Sequence, residues 1–152
     1  MRIDLIFVLF SALSSSVNSY VFYLVTKTMS WTQAQTYCRL HHSDLATVNS
    51  QTELNDLLKS LPSGFKDTFW LGLYRTDGYA PWVFSDGSKS LFSSWQSSQP
   101  NNADGIQYCV YTTVNGYWND WDCSDKLPFM CYESKIQIVR LEIKSSTIVN
   151  DP

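Results

Sequence analysis

Four cysteines, Cys38, Cys109, Cys123 and Cys131, are the feature that most limits what this 152-residue chain can fold into. Their weight depends on the compartment, and the N-terminus speaks to that. The chain opens "MRIDLIFVLFSALSSSVNSY": a basic residue, an apolar run over residues 5–13, then small polar residues ending in Val17, Asn18 and Ser19. This is the pattern of a secretory signal, with Ser19 the expected last residue removed, so residues 1–19 read as a signal peptide. The run is about half the ~20 residues a spanning helix needs, and no later segment is long enough either. The expectation is a secreted, extracellular protein in an oxidising compartment, where thiols pair. Four cysteines allow three pairings and leave no odd thiol; the residues alone leave the choice among the three open.

The remaining length suits one domain. A formal net charge of −3 without any basic run leaves no electrostatic footprint for nucleic acid or an anionic membrane, so neither nucleic-acid binding nor membrane insertion is expected. Aromatic residues make up 15% of the chain, which fits a small core built on large rings and disulfides.

Local patterns divide the chain. "YVFYLVT", residues 20–26, is β-branched and aromatic and predicts a strand. In "SWTQAQTYCRL", Ser30 and Gln33 make a capping box, and Trp31, Ala34, Tyr37 and Cys38 recur at helical spacing. In "NSQTELNDLLKSLP", Ser50 and Glu53 offer a second cap, and Leu54, Leu57, Leu58 and Leu61 form a stripe that ends before Pro62. From Phe69 on, short strands alternate with "TDG", "SDG" and "VNG" turns, and Asn115-Gly116 suits a tight primed hairpin turn. Helices first and strands later, without a βαβ repeat, predict an α+β fold with a largely antiparallel sheet. The tail, residues 135–152, is too apolar for a solvated linker; an edge strand, a contact with another chain and the start of a further segment are equally open.

"WTQAQTYC", "LATVNSQTELNDL", "FWLGLYR", "WVFSDGS", "QPN", "YCVY", "WNDWDC" and "PFMCYES", in that order and spacing, resemble the C-type lectin-like domain over residues 20–134. The resemblance implies the C-type lectin-like fold, two helices with antiparallel sheets and a long loop region, with Cys38 paired to Cys131 and Cys109 to Cys123. Trp70, Leu71 and Leu73 match the family's core strand. Trp82, Phe84 and Trp95 are expected to be further core or loop-anchoring rings.

The resemblance also implies a site. Sugar-binding members hold one calcium ion with five side chains, which carry over to Gln99, Asn101, Gln107, Asn119 and Asp120, and the peptide bond between Gln99 and Pro100 is expected to be cis. Two vicinal sugar hydroxyls would replace waters on the ion and bond to Gln99, Asn101, Asn119 and Asp120. Departures from the pattern weaken the metal reading: Gln stands at 107 where Glu is usual, so Asp120 is the one anion in the set, unless Asp104 or Asp122 adds a charge. Calcium affinity rises with anionic ligands and site rigidity. "QPN" also mixes the mannose-type and galactose-type patterns, and its amides, which both donate and accept, do not select between them. Tyr108, Tyr117 or Trp121 offers a ring face to a sugar, though packing is the commoner role.

No nucleophile elbow occurs, and the pair His41 and His42 beside Asp44 has no metal cluster around it, so no enzyme is expected. The expectation is a calcium-dependent, glycan-binding secreted lectin. The alternative is a calcium-independent module of the same fold that binds a protein partner.

Overall fold

The computed structural model describes residues 14–140, with side chains over 19–136. The expected signal, residues 1–19, lies outside the described residues up to residue 13, as does the tail beyond residue 140. Residues 20–134 form one unit; residues 14–19 and 135–140 belong to a second, formed by the two chain ends. In that second unit the backbone is extended, and Ser19 Oγ donates to the Lys135 carbonyl at 3.5 Å. Residues 135–140 of the tail continue the strand that begins at Leu127.

Strand β1 (Ser14–Met29) is followed by α1 (Trp31–His41), β2 (Asp44–Leu45) and α2 (Gln51–Lys59). Then come β3 (Phe69–Tyr74), β4 (Val83–Phe84), a 3-10 turn at Ala103–Gly105, β5 (Gln107–Thr112), β6 (Trp118–Asp122) and β7 (Leu127–Arg140). α1 starts at the predicted capping box: Ser30 Oγ accepts from Gln33 N, and Gln33 Oε1 accepts from Ser30 N. Its buried face, Trp31, Ala34 and Cys38, is docked by the Trp31 indole N–H, which donates to the Leu71 carbonyl at 2.8 Å. α2 has half of its predicted box. Ser50 Oγ accepts from Glu53 N, but the Glu53 carboxylate takes the N–H of Asn49, one residue before the cap. Leu54 and Leu57 are fully buried, with Leu58 and Leu61 packed beside them.

The sheet runs in the order β1-β7-β3-β5-β6, with β2 added on β7 and β4 on β3. β3 pairs antiparallel with β4 and β5, and parallel with β7, so the sheet is mixed at its centre. The strand's alternation divides the core in two. Phe69, Leu71 and Leu73 pack with Val110, Trp118 and Met130, whereas Trp70 packs with Trp31, Phe129 and both disulfides. Cys38 is bonded to Cys131 and Cys109 to Cys123, the pairings implied by the resemblance. The first ties α1 to β7, and the second closes β5 onto the turn after β6.

The β5–β6 connection differs from the predicted primed turn. A two-residue primed turn of that type needs positive φ at both central residues, and here Gly116 has it (φ 84) while Asn115 does not. The Gly116 N–H closes on the Thr113 carbonyl, and Thr113 and Tyr117 pair beyond it. This is the longer hairpin in which a left-handed glycine follows an ordinary turn. The turn lies against α2: a Cβ on Gly116 would lie 3.1 Å from Leu58 Cδ1 and 3.3 Å from Leu54 Cδ2.

Candidate functional site

The long segment between β4 and β5 lies against the end of β6, on a base of aromatic rings. Trp118, fully buried, is met edge-on by Phe84, Phe92 and Trp95, and Trp95 packs against Trp82 at 5.2 Å. Main-chain bonds complete the attachment: Trp118 N donates to Ser94 O, and Gln96 N to Trp118 O. Trp82, Phe84 and Trp95 are thus the anchoring rings expected of them.

On this base the loop closes around one carboxylate. The Gln99-Pro100 bond is cis, as expected. Directly after it, Asn101 N donates to Asp120 Oδ1 at 3.0 Å and Asn102 N to Asp120 Oδ2 at 2.7 Å. The Ala103 N–H is shared by Asn101 Oδ1 (3.1 Å) and Gln107 Oε1 (2.9 Å), and Asn102 Oδ1 accepts from Gln107 N at 3.0 Å. Left-handed backbone at Asn102, Asp104 and Gly105 lets the chain curl tightly enough for these bonds. Asn119 joins from β6, its Nδ2 donating to Gln96 Oε1 at 2.9 Å.

All five carried-over residues, Gln99, Asn101, Gln107, Asn119 and Asp120, therefore belong to this loop and the strand end beneath it. Their oxygens, however, are engaged. Asp120 is 1% exposed and accepts a main-chain N–H on each oxygen. Asn101 and Gln107 turn their carbonyl oxygens to Ala103 N. Gln99 and Asn119 differ: Gln99 Oε1 is buried and accepts no hydrogen bond among the described residues, and Asn119 is held through its Nδ2. Of the two candidate extra anions, Asp122 caps the following turn by accepting from Ser124 N and Oγ. Asp104 is exposed on the 3-10 turn. Among the described residues no three His, Cys, Asp or Glu side chains gather to hold a metal.

The sequence reading gave no role to Arg75, which follows β3. Its side chain is 10% exposed, and Nη2 lies 3.7 Å from Asp120 Oδ2. Nη1 donates to Gly78 O at 3.1 Å and Nη2 to Gln107 O at 3.4 Å. The guanidinium carbon sits 4.5 Å from the centre of the Trp82 ring and 5.7 Å from that of Tyr108. The positive charge thus reaches the one carboxylate of the loop from below. Asp120's charge is also felt by Tyr111, whose phenol is pushed up first by burial and then by that carboxylate. The signal for Arg75 in the sequence was an arginine at the end of a fully apolar strand, "FWLGLYR", where a charge needs a partner.

A calcium ion wants six to eight oxygens free to turn toward it. Here four amides and one carboxylate are mapped, most of their oxygens already face N–H groups, and a guanidinium stands beside the carboxylate. As it stands, this donor set is poorly suited to the ion.

Other sequence candidates also have partners. His42 stacks on Tyr23 at 4.5 Å and places Nδ1 3.1 Å from Glu133 Oε1. His41 packs against Tyr37. Tyr108 leans over Arg75 and donates to Gly105 O at 2.8 Å, whereas Tyr117 and Trp121 are exposed on β6 and the turn before it.

The profile of the Lectin C-type domain matches residues 27–133, and the chain belongs to that carbohydrate-binding lectin family. Lithostathine of Rattus norvegicus is 34% identical over 124 residues, 78% of this chain and 74% of its own length. C-type mannose receptor 2 of Mus musculus is 35% identical over 109 residues, 68% of this chain; the match spans 7% of that longer protein. The crystal structure of human lithostathine superposes with a TM-score of 0.69 at 29% identity, covering 80% of this chain and 88% of its own. The fold is the C-type lectin fold, two helices on a mixed sheet with two disulfides. Among the described residues no helix is long and apolar enough to cross a membrane.

Proposed function

We propose that this chain is a secreted, non-catalytic recognition module of the lectin family that takes a glycan at the loop over residues 96–107 and the adjoining end of β6, without calcium. The observation that carries the calcium-free reading is the state of Asp120: both oxygens of the one mapped carboxylate already accept the main-chain N–H groups of Asn101 and Asn102. The glycan as ligand rests on the family. Without an ion to hold vicinal hydroxyls, a sugar would be met by the exposed Asn101 amide and the exposed Trp121 ring at the adjoining end of β6. Aromatic faces and amides are the usual partners of a polar ring that has one apolar side. One weak site of this kind needs several copies on a surface to bind firmly.

A second reading keeps the ion. Gln99 Oε1, buried and without a donor among the described residues, is an oxygen that a cation or a ligand hydroxyl would satisfy. Secretion rests on the predicted signal over residues 1–19 together with the two disulfides.

Glycan-array binding of the oxidised mature chain, in millimolar calcium and in excess chelator, separates the readings. Equal binding in both supports the proposal. Binding lost on chelation replaces it with the calcium-dependent lectin. A blank array from folded protein in both buffers turns the search to a protein partner.

A further inference from the structure

We infer that Arg75 is the resident cation of this loop: its guanidinium supplies, from within the chain, the positive charge around which Asp120, Gln107 and the 101–103 backbone are arranged. The inference rests on the calcium-free reading above and names what takes the ion's place.

Three observations point the same way. First, the carboxylate is 0% exposed at its side chain and its charged neighbour is 10% exposed, 3.7 Å away; a buried anion requires a compensating positive group. Second, the guanidinium is surrounded by what a cation seeks. Carbonyl oxygens of Gly78 and Gln107 accept from it, and the Trp82 and Tyr108 rings lie across it at 4.5 and 5.7 Å. Third, the loop residues that face Asp120 do so through N–H donors, which stabilise an anion and repel a metal ion. Arg75 Nε is buried and has no acceptor among the described residues. A group buried at that cost is held by a function or by its neighbours' charge, and here the charge is that of Asp120.

The position is also framed by main chain. Arg75 N donates to Tyr108 O at 2.9 Å, so the β3–β5 pairing fixes where the side chain starts. A residue so anchored delivers its charge to one place, and the loop is assembled before any ligand arrives. If the charge is already present, adding a second carboxylate at 107 gives it to Arg75 and not to a metal.

The test follows the amide hydrogen exchange of Asn101 and Asn102, together with the thermal midpoint, in chelator and in millimolar calcium. It uses the mature chain and three variants. In the unaltered chain both amides are expected to be protected in chelator, with the same midpoint in both buffers. Arg75→Met is expected to speed their exchange by about tenfold or more, the scale of losing a buried pair's partner. Gln107→Glu alone is expected to remain blind to calcium. Arg75→Met with Gln107→Glu is expected to gain a calcium-dependent rise of several degrees. Protection in the unaltered chain that appears only with calcium overturns the calcium-free reading and this inference together. A calcium-blind chain in which Arg75→Met leaves the two amides protected overturns the role of Arg75 alone. Should Arg75→Met not fold, Gln107→Glu still decides, because a calcium response in that single variant overturns the inference.

Discussion

Tyr132 Oη donates to Asp86 Oδ2 at 2.8 Å, and the same oxygen takes the Thr47 hydroxyl at 2.7 Å. One carboxylate thus joins β7 to the segment after β2. Burial pushes the Asp86 carboxyl up, but hydrogen bonds from Ser88, Thr47 and Tyr132 outweigh it and hold the group below its ordinary value of 3.8. Tyr132 moves the other way: burial, then its bond to Asp86 and that residue's charge, raises the phenol far above its usual range.

A carboxylate depressed in the folded state stabilises it fully above the unfolded pKa, and this stabilisation fades as pH falls through the lower folded value. The stability difference between the unaltered chain and Asp86→Asn should therefore be constant from neutral pH to about pH 4 and shrink below it. Urea midpoints of both proteins across that range measure it. A difference that holds unchanged to about pH 2 would show that Asp86 draws nothing from its donors.

Gly72 lies where β3 passes β2. Its N–H donates to Ala46 O at 2.9 Å, and a Cβ there would lie 2.9 Å from Leu45 O and 3.0 Å from Ala46 O. Both obstacles are backbone, which yields less readily than a side-chain tip. Gly72→Ala should cost about 1–3 kcal/mol, as overpacking does elsewhere. Chemical denaturation followed by tryptophan fluorescence reads the loss, and an unchanged midpoint would mean that β2 moves aside freely.

The two disulfides close loops of very different length, with sequence separations of 93 for Cys38–Cys131 and 14 for Cys109–Cys123. On the chain-entropy model the long one contributes about 4.6 kcal/mol and the short one about 3 kcal/mol. Replacing the first pair by alanine should therefore lower stability more than replacing the second. Comparing the two double variants by urea unfolding checks the order. The reverse order would place the main effect in the native state, where Cys109–Cys123 holds the turn whose Cys123 carbonyl accepts from Trp31 N.

Much was readable from local pattern. The Ser30 and Gln33 box, the Leu54 and Leu57 stripe, and the strand "FWLGLY" depend on neighbours within a few positions, and they form as read. The family motifs placed both disulfides and the cis bond before Pro100. The hairpin at Asn115-Gly116 was misread: Gly116 takes positive φ but Asn115 does not, in a longer turn closed on Thr113. The second cap was half right because the Glu53 carboxylate found the Asn49 N–H instead of that of Ser50.

The sequence by itself determined the class of fold, the cysteine pairs through the resemblance, and which five side chains meet where the loop joins β5 and β6. Only the tertiary structure shows which groups those side chains bond to. Asp120 as a metal ligand and Asp120 as the anchor of two amides and a guanidinium are the same residue in the same motif. Where β3 ends relative to β6 puts Arg75 Nη2 within 3.7 Å of that carboxylate. Charge pairing between distant strands leaves no periodic trace along the chain, and a buried arginine reveals its partner only once the sheet has brought them together.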